Sequence, residues 1–133
     1  MRYLQSGLTT YDRDRATEGY TLFSPVGQLK TFIIDMEGKV VHEWDLPSPP
    51  GNYTYLQENG NLMASCRAEG RPASLAAGGG LMIEFDWDGN RVWEYTDIFQ
   101  HHDFRRLPND NLIYLGWEKF SEETVARVQG GLA

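Results

Sequence analysis

His101-His102-Asp103-Phe104-Arg105-Arg106 sets two imidazoles, a carboxylate and two guanidinium groups within one short stretch. Imidazole suits proton transfer near neutral pH, and nucleophilic attack where a neighbour activates it. Asp103 is the natural group to hold an imidazole tautomer, so His102, His101 and Asp103 are the candidate catalytic residues. Arg105 and Arg106 are candidates for substrate binding, because a guanidinium grips an oxyanion through two parallel hydrogen bonds. A plainer reading gives the histidines to loop backbone and the arginines to surface carboxylates. In a regular strand His102, Phe104 and Arg106 share one face. That prefers His102 over His101 and predicts that the two imidazoles do not act on one atom.

Other chemistry-bearing motifs are weaker. Cys66 is the only cysteine, so neither an intrachain disulfide nor a cysteine metal cluster is available within one chain. Asp86-Trp87-Asp88-Gly89-Asn90 has the look of a calcium loop, but its glycine is misplaced and no ligating Glu follows at the right distance. It reads as a hairpin turn. Gly78-Gly79-Gly80 lacks the Lys-Ser/Thr of a phosphate loop. His42 reads as a solvent-facing strand residue, and Trp44, Trp87, Trp93 and Trp117 as packing. No metal and no cofactor is expected.

The elements that must carry these groups repeat. Thr31–Trp44 and Met82–Tyr95 share a pattern in which Asp35 matches Asp86, Gly38 matches Gly89, Glu43 matches Glu94 and Trp44 matches Tyr95 (86 − 35 = 51). The same offset carries Leu56 onto Leu107, with one deletion in the turn that follows. Pro50–Tyr55 is thereby set against His101–Arg106. Each unit alternates apolar and polar residues around a tight Gly turn, the mark of a β-hairpin. A period of this length belongs to propellers, solenoids or arrays. The expected fold is therefore all-β: antiparallel four-stranded blade-like meanders forming a partial β-propeller of about two blades. The chain reads as a single unit over 1–133, with repeat one about 19–66 and repeat two about 80–117. A loop is expected from Glu69 to Gly80, and a short helix about 121–129, capped by Ser121 and stopped by Gly130-Gly131.

The totals narrow the partners. The chain has 133 residues, 41% of them hydrophobic and 23% charged, which suits one globular domain. A net charge of −7 argues against nucleic acid, whose binding needs a basic surface. Met1–Gly7 has no apolar core of a leader, and no apolar run is long enough to span a bilayer. The expectation is a cytoplasmic protein without a membrane partner, and Asn52-Tyr53-Thr54 is read as a chance glycosylation triplet. Propellers need at least four blades, so the remaining blades are expected from further chain or from a homo-oligomer, a trimer being the simplest.

Gly19-Tyr20-Thr21-Leu22-Phe23, Ile34–Trp44, Leu56–Leu62 and His101–Asn109 together resemble the bacterial arylsulfotransferase family. The resemblance runs from about Leu8 to Gly131, and His-His-Asp followed by Leu-Pro-Asn is its more specific part. It implies a six-bladed propeller that moves a sulfuryl group from one phenol to another, without a nucleotide donor, through a transiently sulfated histidine. It also implies a small aromatic or anionic substrate, with His101 and His102 contributing to the site. The alternative is a propeller used as a non-catalytic binding or scaffolding module.

Overall fold

The structure, a computed structural model, describes residues 7–75 and 78–130. The Met1–Ser6 part of the leader reading and the Gly131-Leu132-Ala133 end lie outside the described residues. Among the described residues nine strands carry the fold: β1 Thr21–Phe23, β2 Lys30–Ile34, β3 Val40–Asp45, β4 Pro50–Leu56, β5 Leu62–Arg67, β6 Gly80–Phe85, β7 Arg91–Thr96, β8 Gln100–Arg106 and β9 Leu112–Gly116. Every pairing is antiparallel and joins neighbours in sequence. Among the described residues no helix is long and apolar enough to cross a membrane.

The strands form three sheets, β1-β2-β3, β4-β5-β6-β7 and β8-β9. Two four-stranded units were expected; instead the one four-stranded sheet joins the second hairpin of repeat one to the first hairpin of repeat two. The segment between β3 and β4, Leu46-Pro47-Ser48-Pro49, explains the break. Prolines have no N–H to extend a ladder, so the chain leaves the first sheet there and starts the second.

The turns after β2 and β6 are built alike. Asp35 N–H donates to the Lys39 carbonyl at 3.0 Å and Asp86 N–H to the Asn90 carbonyl at 2.9 Å. In each turn the Asp Oδ1 accepts a backbone N–H, from Lys39 or from Asn90, at 2.8 Å. Gly38 and Gly89 follow with φ of 80° and 84°, the left-handed conformation that favours glycine. The strand registers correct the second half of the alignment. Thr54 pairs with Ala64 as Phe104 pairs with Tyr114, and Leu56 with Leu62 as Arg106 with Leu112. So Leu56 corresponds to Arg106 and Tyr55 to Arg105. The missing residue lies in the connection before β8, not in the turn after it.

Alternation along β5 and β6 builds two cores. Leu62, Ala64, Cys66, Ile83 and Phe85 face the first sheet, where Ile33, Trp44 and Leu46 meet them. Met63 and Met82 face the other way, onto Phe104, with Tyr53, Tyr55, Trp93, Leu112 and Tyr114 around it. The central sheet is thus covered on both faces, which is why β5 reads as an almost continuous buried run. The helix is shorter than expected, α1 Glu122–Val125, with the Ser121 hydroxyl accepting from Thr124 N–H at 3.2 Å.

Candidate active site

The β8–β9 ladder passes from His101 opposite Leu115 straight to Phe104 opposite Tyr114. His102 and Asp103 therefore bulge, and His102 takes a φ of 53°. A left-handed histidine is uncommon and held only by its surroundings. The bulge overturns the simple alternation: the two imidazoles lie side by side, Nδ1 to Nδ1 at 2.8 Å, with planes 88° apart. Such a bond needs one ring to donate and the other to accept. A neutral donating ring then presents a bare Nε2, the atom a base or nucleophile requires. His101 is half-buried and lies 4.6 Å from the Trp117 ring, while His102 is exposed.

Asp103 does not reach either imidazole. Its Oδ1 accepts from the Phe104 N–H at 2.8 Å, so it stabilises the bulge and leaves the tautomer to the histidine pair. The two arginines part company as well. Arg105 Nη2 donates to the Tyr53 hydroxyl at 2.6 Å, and its guanidinium lies 4.3 Å from the Tyr55 ring centre and 5.4 Å from that of Tyr53. It stays exposed. Arg106 is turned inward: it pairs with Glu84 Oε2 at 3.3 Å and covers the Trp93 ring at 4.4 Å. Asn61 Nδ2 donates to the other Glu84 oxygen at 2.7 Å, so each oxygen of that carboxylate has a partner.

Tyr53 and Tyr55, on the strand set against His101–Arg106, are not among the candidates that residue types alone pick out. Their signal was the i, i+2 spacing, which puts two rings on one face of β4. That face meets β8, since the two strands lie against each other without pairing. The Arg106 N–H donates to the Tyr55 hydroxyl at 2.8 Å. Burial holds the Tyr55 phenol above its ordinary range, against the opposing effect of that bond. Beyond these groups, an open pocket of about 450 Å³ lies between the turns that follow β4 and β8, with Tyr55, Arg105 and Gln57 on its wall.

The arrangement thus has two parts on one strand. The imidazole pair, with His101 beside Trp117, stands at the start of β8, and a cation over two phenol rings stands three residues beyond His102. His42 is also placed differently from expectation. It is half-buried, stacked on Trp87 at 4.0 Å and 8°, with Nε2 donating to the Trp87 carbonyl at 2.9 Å. No protein-family model, no curated protein and no solved structure matches the chain.

Proposed function

We propose that the chain is part of a β-propeller of the arylsulfotransferase kind, in which His101 and His102 serve histidine-mediated sulfuryl transfer between phenols. The propeller reading is supported by two consecutive meander sheets and a hairpin packed face to face, with β4 and β8 side by side at equivalent positions. The remaining blades would come from further chain or from other copies. The observation that carries the chemistry is the imidazole pair on the strained bulge, open to solvent through His102.

In this reaction a bare imidazole nitrogen attacks the sulfur of an aryl sulfate. The N–S bond forms as the S–O(aryl) bond breaks, and the phenolate leaves. An acceptor phenol, passing its proton through the paired imidazole to the departed phenolate, then attacks the same sulfur; the new O–S bond forms as the N–S bond breaks and frees the histidine. Trp117 and the Tyr53–Tyr55 rings offer flat faces to aryl groups, and Arg105 offers a cation to their charge. Incubating the protein with 4-nitrophenyl sulfate and phenol tests the reading. Nitrophenol release, and a peptide containing His101-His102 that gains one SO₃ group, are expected; absence of both would retire it.

A second reading is favoured by one observation: Asp103 and Arg106 are both engaged by the protein itself. It makes the chain a binding module that holds aromatic anions without turning them over. Saturable binding of the aryl sulfate, with no product on long incubation, is its signature.

A further inference from the structure

The two face-to-face contacts of the central sheet are built on the same plan, yet one niche is filled and its counterpart is open. Between the second and third sheets, the guanidinium of Arg106 occupies a niche walled by Glu84, Trp93 and Asn61. The registers give the corresponding positions between the first and second sheets. Leu56 stands for Arg106, Ile33 for Glu84, His42 for Trp93, and Tyr20 for Asn61. The ion pair has become two aliphatic side chains, and the shorter Leu56 does not fill the space. An apolar pocket of about 440 Å³ remains, walled by Tyr20, Leu22, Ile33, His42, Leu56 and Trp87.

Three features describe what fits. Among the described residues no carboxylate, ammonium or guanidinium group lines the pocket, so a charged ligand would lose its hydration with no partner there. The stacked His42 and Trp87 rings give the pocket an aromatic wall, which suits an aromatic ligand. The Trp87 carbonyl can only accept, so His42 donates through Nε2, and Nδ1 of the neutral ring is an acceptor. An apolar concavity with one such polar group is the usual form of a small-molecule site. Large apolar side chains converge on it while staying open to water: Tyr20 is 73% exposed and Trp87 50%.

We propose that this pocket binds a small uncharged aromatic molecule of the phenol class, seated where Arg106 sits in the next sheet contact. The site is remote in sequence from His101 and His102 and does not depend on sulfuryl transfer.

Titration of the full chain with phenol, followed by tryptophan fluorescence and by the His42 ring signals in NMR, tests it. Saturable binding in the millimolar range or tighter is expected, about what so small a ligand supplies. Benzoate, of similar shape but charged, should bind at least about tenfold more weakly. Leu56→Arg combined with Ile33→Glu should refill the niche and abolish phenol binding. If that pair fails to fold, Leu56→Phe, which fills the space with apolar volume, and Tyr20→Ala, which opens one wall at an exposed position, decide instead; each should weaken binding about tenfold. Lack of saturation in the unaltered protein, equal binding of benzoate, or binding that survives refilling in a folded variant would each overturn the proposal.

Discussion

Tyr55 and Arg105 hold the same register position in successive sheets and touch each other, the guanidinium carbon 4.3 Å from the ring centre. A position that is aromatic in one repeat and cationic in the next therefore becomes one cation–π pair when the two strands meet. The neighbouring Arg106 does the opposite and turns into the sheet contact. Two adjacent arginines thus have separate tasks, and separate variants expose them.

Arg106→Ala should destabilise the fold by about 3 kcal/mol, because Glu84 is left buried with its charge only partly met. Arg105→Ala should change stability by less than about 1 kcal/mol and weaken aromatic-anion binding. Urea unfolding of both variants, with binding of 4-nitrophenyl sulfate on each, measures the contrast. Equal stability losses would show that the two guanidinium groups are not divided in this way.

His102→Gly separates strain from chemistry. The φ of 53° costs a histidine about 1 kcal/mol that glycine does not incur. The variant should melt no lower than the parent while losing sulfuryl transfer. His102→Val, β-branched at a left-handed position, should melt lower. A melting temperature that falls on the glycine change would mean that the imidazole is packing and not chemistry.

Phe104→Thr places in the second sheet contact the residue that the first repeat carries there, Thr54. Phe104 is 2% exposed between Met63 and Met82, so the loss of its ring should cost about 3–4 kcal/mol. Thr54 has its own partner, accepting from the Ser24 hydroxyl at 3.1 Å, which Phe104→Thr does not recreate. Chemical denaturation with an unchanged slope would give the value directly.

Cys66 supplies a pH test. Burial pushes its thiol up to about 12 from an ordinary value near 9. The sign follows from proton binding: between those two values the unfolded chain has lost the proton and the folded one keeps it. Stability therefore falls as pH rises from about 9 toward 12, by up to about 1.4 kcal/mol per unit. Cys66→Ala should flatten that part of the profile relative to the parent. At pH 8 the native thiol should resist a disulfide reagent that labels it at once in urea.

The strands and their turns were legible in the residues alone. Asp35, Gly38, Asp86 and Gly89 mark their hairpins because a tight turn demands a positive φ and a side-chain acceptor locally, whatever lies around it. Thr31 to Trp44 likewise shows two strands, since apolar and polar residues alternate on either side of the turn. What depends on how the strands meet was not legible. Pro47 and Pro49 end one sheet, but only the assembled ladders show that β4 to β7 pair across the boundary between repeats. The side-by-side placing of His101 and His102 comes from a bulge of two residues, which takes His102 and Asp103 out of the ladder without any change in the pattern of residue types. Arg105 and Arg106 are identical side chains on adjacent positions. One stays in water over Tyr55 and the other reaches Glu84, because Glu84 comes from a different sheet and only packing brings it within reach.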